Sequence, residues 1–403
     1  MKYLTAIDIG SNTIKLLVGQ KQTNSSEIKI LVKEKISQFG LRKGEIYDIE
    51  KVTKGLISLK EKIQKEKNLK IKKVVTNING LHLSLLKNQG LVSISRADTK
   101  ISNEDIQRVL QASQIITLPS NYEILEVIPQ EFIIDGQKGI KEPLGLRGFR
   151  LEIKVLLISI FTPTLDNLEK TIKEAGLELE AVIPAPLATS QAVLTPEQKE
   201  LGVAVIDLGH STTSLTIFSE GNLIDFKIFP FGSINITNDI AIGLRTEIAI
   251  AEEIKKEFGV FEFPKKQKNQ KTKIDLPEIE ISFSKEFLKK IIRARIIELF
   301  SEINKELKII NKNTILPGGL ILTGGGSFLP GLKEFAKQKF ELPCQLGNPY
   351  KFLELENELD FSGVAGLLLS DFDNLETELK EKRNRKKNFG AGFKRFLKMF
   401  FPE

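Results

Sequence analysis

Short apolar runs closed by turn residues alternate along the chain with stretches in which apolar residues recur every three to four positions, and that alternation predicts an α/β protein. Ala6 to Val18 reads as a strand, a tight turn and a second strand; Ile28 to Lys33 reads as a third strand. Ile49 to Lys67 is a helix with Val52, Leu56, Leu59 and Ile63 on one face, and Lys70 to Ile78 returns to a strand. From Leu81 to Thr162 the pattern changes. A short strand near Leu91 to Ile94, a helix opening at Ser102 with Asp105 at its third position, and two long strands, Glu123 to Ile134 and Phe149 to Phe161, predict a small α+β domain set into the first lobe. Residues 128 to 140 read as strand and turn, with no catalytic constellation.

Beyond the insertion come a helix at Pro163 to Glu174, a strand at Glu178 to Ile183 and a helix at Pro186 to Leu194. Val203 to Phe218 then repeats the opening hairpin: at a constant offset of 199 residues, Ile7, Asp8, Gly10, Thr13 and Leu16 fall on Ile206, Asp207, Gly209, Thr212 and Leu215. This predicts one duplicated unit. Asn222 to Phe229 continues as a strand, and Ile234 to Gly243 and Thr246 to Phe258 as helices. Phe287 to Ile310 is a long amphipathic helix burying Leu288, Ile291, Ile292, Ile296, Leu299, Phe300 and Ile303. Gly319 to Ser327 is a strand running into Gly324, Gly325 and Gly326, followed by a helix. The expected organisation is a first lobe at 1–80 and 163–195, an insertion at 81–162, and a second lobe at 196–370 with a small subdomain at about 244–312.

Composition narrows the chemistry. A chain of 403 residues, 41% hydrophobic, is long enough for two or more domains with a large core. One cysteine, Cys344, excludes an internal disulfide and a cysteine zinc site, and two histidines exclude a histidine-rich metal centre. The expected setting is reducing and cytoplasmic, with no signal peptide ahead of the first strand and no run near the roughly 18 apolar residues of a spanning helix. The net charge of +7 is local: Lys380 to Phe401 holds nine Lys or Arg and one acidic residue, a net of +8, so the rest of the chain carries −1. The lysine-rich run 265–273 lacks interleaved aromatics, so it predicts a solvated hairpin or loop, not a nucleic-acid site.

In each Asp-x-Gly turn, glycine lets the backbone approach a ligand, N–H groups and hydroxyls can cradle phosphate, and the aspartate can hold a water of hydrated Mg²⁺. One such hairpin is ordinarily only a turn. Two on matching strands predict two related lobes clamping one nucleotide, with Asp8, Gly10, Ser11, Asn12 and Thr13 facing Asp207, Gly209, His210, Ser211 and Thr212. As a third loop of that cleft, Gly324, Gly325, Gly326 and Ser327 can lie against sugar and base. Glu252 and Lys255 share a helix face at i, i+3: a solvated ion pair, unless the fold brings them to the nucleotide.

Residues 371–388 are charged and aperiodic and read as a linker reaching roughly 25 Å as a coil. In the following segment, 389–403, Phe389, Phe393, Phe396, Leu397 and Phe400 share a helical face, with Phe401 beside it and Lys394, Arg395 and Lys398 around it. Such a helix, about 20 Å long, is too short to cross a bilayer core of about 30 Å but is suited to lie in an anionic membrane surface. Docking on protein is the alternative use of the same face.

These residues resemble the actin superfamily, in its first phosphate loop (Asp8 onward), its second (Asp207 onward), its adenosine loop (Leu320 to Ser327) and its first connecting helix, where Gln191 matches a residue that orients the attacking water. Within the superfamily the chain resembles the FtsA family of bacterial cell-division proteins, through Ile128 to Phe132, Asp135 to Ile140, Ile236 to Thr246, Ala251 to Lys255 and the amphipathic tail. His210 and Ser211 stand where the family commonly has Gly-Gly or Ala-Gly, and Thr13 and Glu247 where relatives often carry Lys and Pro. The resemblance implies an actin-like two-lobed fold of duplicated ribonuclease H-like domains in which the insertion, often called 1C, replaces one actin subdomain. It implies ATP with Mg²⁺ held through Asp8 and Asp207, and a scaffold with weak ATPase activity at most. It implies self-assembly into protofilaments, binding of the FtsZ C-terminal tail by the subdomain containing Arg295, contacts of later division proteins with the insertion, and a peripheral location on the cytoplasmic face of the membrane at the septum. A pilus-assembly scaffold of the PilM type and an actin-like exopolyphosphatase, whose opening resembles Ala6 to Thr13, are the other readings of the same fold.

Overall fold

The computed structural model describes residues 3–21, 27–95, 97–261, 273–276, 281–310 and 315–370. The lysine-rich run at 265–273 lies outside them except for its last residue, and so do the expected linker 371–388 and the tail segment 389–403.

The first lobe opens with β1 (Leu4–Ile9), β2 (Thr13–Lys21) and β3 (Ile28–Ser37), an antiparallel meander, followed by the small hairpin β4 (Leu41–Arg42) and β5 (Glu45–Ile46). α1 (Ile49–Lys67) starts where Asp48 accepts the Lys51 N–H, and buries Val52, Leu56, Leu59 and Ile63 as its periodicity predicts. β6 (Lys73–Ile78) then lies parallel to β1.

The insertion comprises β7 (Ser84–Ser93), α2 (Asn103–Ser113), β8 (Tyr122–Ile134), β9 (Gln137–Ile140) and β10 (Arg150–Phe161). Its sheet runs β7-β10-β8-β9. Ser102 and Asp105 form the reciprocal capping box that starts α2. The strand expected at Leu91 to Ile94 is in fact the ten-residue β7. Residues 84–90 do not alternate cleanly, and pairing along the length of β10 selects the strand instead. Gly90 permits this, because a β-carbon there would lie 2.2 Å from the Val109 carbonyl oxygen of α2.

α3 (Thr162–Glu174) and β11 (Glu178–Pro184) complete the first sheet, β11-β6-β1-β2-β3. α4 (Ala185–Val193) and the capped α5 (Pro196–Leu201) lead to the second lobe. There β12 (Val203–Leu208), β13 (Thr213–Ser219) and β14 (Asn222–Phe229) precede α6 (Ser233–Leu244), α7 (Ile248–Phe258), the hairpin β15 (Lys273–Leu276) and β16 (Ile281–Ser284), and α8 (Lys285–Ile310). β17 (Leu320–Thr323), α9 (Leu332–Phe340) and β18 (Cys344–Leu346) finish a sheet ordered β14-β13-β12-β17-β18.

The duplication read from sequence is a duplication in space. β1 pairs β2 from Leu4↔Gly19 to Ile9↔Ile14, and β12 pairs β13 from Val203↔Phe218 to Leu208↔Thr213, the same register 199 residues later. In both sheets the second strand also pairs antiparallel with the third, and the first pairs parallel with a later strand that carries a further parallel neighbour.

Phe352, Leu355, Phe361, Val364, Leu367 and Leu368 join a hydrophobic cluster shared by both lobes, with Leu16 and Leu56 of the first and Val203, Phe218 and Ile321 of the second. A helix at 362–370 packs beside α4, with Gly366 against Ala188 and Leu368 against Gly19 of β2. Among the described residues no helix is long and apolar enough to cross a membrane.

Candidate functional site

The two Asp-x-Gly turns face one cavity of about 550 Å³. Each turn is closed by an equivalent backbone bond at 3.0 Å, from Gly10 N–H to Thr13 O and from Gly209 N–H to Thr212 O. A β-carbon at Gly10 or Gly209 would crowd that same carbonyl oxygen, at 3.1 and 2.8 Å, so glycine is what lets the turns close. The loops also meet directly: Ser211 Oγ donates to Ser11 Oγ at 2.6 Å.

On the floor lie the two carboxylates at the ends of β1 and β12. Asp8 accepts a hydrogen bond from Asn77 Nδ2 at 2.6 Å and has Lys15 Nζ at 3.6 Å; Asp207 accepts from Thr189 Oγ1 of α4 at 2.8 Å. Burial, with the Asp8 charge close by, raises the Asp207 carboxyl above the ordinary carboxylate range against the pull of Thr189 and Lys15. A cation held near both carboxylates would relieve that penalty, so the donor set fits a hydrated divalent ion. Gly363 and Gly324 leave the room: a β-carbon on Gly363 would lie 3.5 Å from Asp8 Oδ2, and one on Gly324 2.2 Å from Asp207 Oδ1. Gly324 also has φ +84°, a conformation side chains disfavour.

The α6–α7 side supplies charge. Lys255 Nζ donates to Glu252 Oε2 at 2.6 Å, to Thr237 Oγ1 at 2.8 Å and to the Ser233 carbonyl at 3.3 Å. This is no solvated pair, since both side chains are largely buried and line the cavity. Burial holds the Lys255 ammonium below its ordinary value against the attraction of Glu252. Burial raises the Glu252 carboxyl, but Lys255 and Thr237 outweigh it and hold the carboxyl below the usual range. Burial likewise lowers the His210 imidazole, favouring its neutral form.

Of the residues expected to bind nucleotide, Asp8, Gly10, Ser11, Asn12 and Thr13, their counterparts Asp207, Gly209, His210, Ser211 and Thr212, and Glu252, Lys255, Gly324, Gly325 and Gly326 all line the cavity. Ser327 is buried behind them, its hydroxyl donating to the Thr323 carbonyl. Gln191 does not line the cavity either; its side-chain oxygen accepts from Lys199 Nζ at 3.0 Å. Arg295, on α8, is half-buried: its Nε and second terminal nitrogen hold both oxygens of Asp239 on α6, and its other terminal nitrogen reaches Glu298.

Sequence reasoning missed Lys15, Asn77, Asn79 and Thr189. Lys15 was within reach, because the hairpin register makes it the cross-strand partner of Asp8. Asn77 and Asn79 interrupt or follow the apolar run of β6 at its carboxyl end, where open α/β sheets bind ligands. Thr189 lies two residues before Gln191 on α4, and no local signal tells which of them faces the cleft.

Comparison with known proteins bears on this arrangement. Residues 204–365 match the family model described as "Cell division protein FtsA", and residues 80–159 match "SHS2 domain inserted in FTSA". The chain is 32% identical over 376 residues to the cell division protein FtsA of Pseudomonas aeruginosa, covering 91% of this chain and 89% of that one. Among solved structures, a PilM-PilN type IV pilus biogenesis complex chain aligns with TM-score 0.65 at 17% identity, covering 91% of this chain and 97% of its own. MreB5 of Spiroplasma citri bound to ADP aligns with TM-score 0.54 at 13% identity, covering 96% and 99%. At those identities the structural likenesses speak for the actin-like fold alone.

Proposed function

The chain belongs to the FtsA family of cell-division proteins, and from that premise we propose that it is a nucleotide-gated scaffold that binds ATP with Mg²⁺, assembles into protofilaments and tethers the FtsZ ring to the cytoplasmic face of the membrane at the septum. The supporting observation is the pair of register-matched turns bringing Asp8 and Asp207 to one cavity. Asp8 and Asp207 would hold the ion through its waters, and the turn amides and hydroxyls would surround the phosphates. Lys15 would add positive charge beside them, Glu252 and Lys255 would meet the sugar, and Gly324 to Gly326 would lie against the adenosine. Bound Mg²⁺·ATP would supply a charged bridge between the lobes. Weak hydrolysis would use Gln191 to orient water, which requires its amide to leave Lys199.

The tail segment 389–403, with its phenylalanine face and basic flank, would lie in the anionic membrane surface. The FtsZ tail would dock on the α6–α8 subdomain, whose surface Arg295 shapes by holding Asp239. Later division proteins would meet the insertion. Deleting 388–403 should abolish co-sedimentation with anionic liposomes while ATP binding persists; membrane binding at full strength by that truncation would remove the tether from the proposal. Failure of full-length protein to bind an FtsZ C-terminal peptide would remove the FtsZ role.

A further inference from the structure

Asn79 occupies a position where the cleft, the start of the inserted domain and the β4–β5 hairpin meet. Its Nδ2 donates to Thr212 Oγ1 in the second turn at 3.2 Å, and its Oδ1 accepts the backbone N–H of Gly80 at 2.9 Å. One amide thus holds the second lobe's turn with one end and the root of the insertion with the other, since the inserted-domain match begins at residue 80.

The backbone at this root is closely packed. A β-carbon on Gly44 of the hairpin turn would lie 2.6 Å from the Asn79 carbonyl oxygen, and one on Gly80 would lie 2.4 Å from the His82 ring. Gly80, at φ +131°, and Gly44, at φ +86°, both adopt conformations that side chains disfavour. His82 is buried, with Nδ1 3.3 Å from Glu45 Oε1 of β5. Two residues on, Ser84 opens β7 and pairs with Ser159 of β10. A shift at Asn79 therefore has little room to dissipate before it reaches the hairpin and β7.

Thr212 lies in the turn that would surround phosphate, and the inference that follows rests on that nucleotide reading. A hydroxyl that accepts from Asn79 keeps its own proton for an oxygen in the cleft. A phosphate oxygen taking that proton polarises the hydroxyl and strengthens the bond it accepts. We infer that Asn79 is a positioning residue that couples phosphate occupancy of the second turn to the backbone at the root of the inserted domain. Nucleotide state thereby reaches the insertion through a single side-chain amide.

Hydrogen–deuterium exchange of the full-length protein, with and without saturating Mg²⁺·ATP, tests this. In the wild type, exchange at 80–93 and 41–46 is expected to slow several-fold on binding. Asn79→Ala, saturated with nucleotide, is expected to lose the slowing at 80–93 while keeping it in the turn at 8–13, and Thr212→Val to lose the slowing at 80–93. Asn79→Asp retains an acceptor for the Gly80 N–H but can only accept at Thr212. It should behave like Asn79→Ala, whereas a role confined to capping Gly80 would leave it like wild type. Unchanged slowing at 80–93 in both Asn79→Ala and Thr212→Val, a wild-type response from Asn79→Asp, or a wild type that binds ATP without any change at 80–93 would each overturn the coupling. A wild type that binds no Mg²⁺·ATP would overturn it by a distinguishable route, through the cleft reading itself. If Asn79→Ala does not fold, Asn79→Asp decides, because it keeps an acceptor for the Gly80 N–H and loses only the donor to Thr212.

Discussion

Gly366, in the helix at 362–370, packs against Ala188 of α4 so closely that a β-carbon there would lie 1.7 Å from the Ala188 carbonyl oxygen. These helices stand beside the cleft, with Thr189 of one bonded to Asp207 and Gly363 of the other next to Asp8.

Gly366→Ala therefore reverses the usual sign. In an ordinary helix interior the change would stabilise by about 1 kcal/mol, but here the methyl group meets backbone, and overpacking should cost about 2–3 kcal/mol. Scanning calorimetry should show a lower Tm than wild type. An unchanged or higher Tm would mean the helices can part at no cost.

Asp207→Asn should stabilise the nucleotide-free protein and abolish Mg²⁺·ATP binding. Burial and Asp8 raise the folded-state proton affinity of this carboxyl, so its favourable contribution holds at acid pH and is lost as pH rises through the raised value. The Tm gain should thus be largest near neutral pH and vanish in acid. A Tm loss at neutral pH would show that the ionised carboxylate is well accommodated without a cation.

The His210 imidazole works in the opposite direction. Burial lowers it in the folded state, with Lys255 and Lys256 opposed by Glu252, so its contribution is present above about pH 6.5 and is lost as pH falls through the lowered value. His210→Gln should flatten the fall of Tm between about pH 7 and about pH 5. Superimposable pH profiles for the two proteins would place the acid sensitivity elsewhere.

Arg295 and Asp239 hold each other bidentately across α6 and α8. Arg295→Glu should destabilise by about 1–3 kcal/mol, since it leaves two partly buried carboxylates facing one another. The exchange Arg295→Asp with Asp239→Arg should recover most of that stability. Binding of an FtsZ tail peptide measured on both variants separates a shaped surface, restored by the exchange, from direct contact through Arg295, which the exchange would not restore.

The element types were legible because burial imposes its period locally. α1 runs from Ile49 to Lys67 as its apolar spacing predicts, and the capping box at Ser102 and Asp105 marks α2. The repeat was legible too, since apolar runs joined by one kind of turn pair in one register. It located the cleft and most of its lining. β7 was underestimated because seven of its ten residues take their strand from β10.

By itself, then, the sequence determined that two equivalent hairpins exist and that each ends in a carboxylate at a glycine turn. Tertiary structure alone decided that Asn77, Asn79 and Thr189 join them, that Gln191 turns to Lys199 and Ser327 into the interior, that Arg295 is held by Asp239, and that the helix at 362–370 packs on α4. The reason is physical. Periodicity records which side of an element is buried, but not which element buries it. On α4, Thr189 meets Asp207 next to Ala188, which packs against Gly366, 178 residues further along the chain.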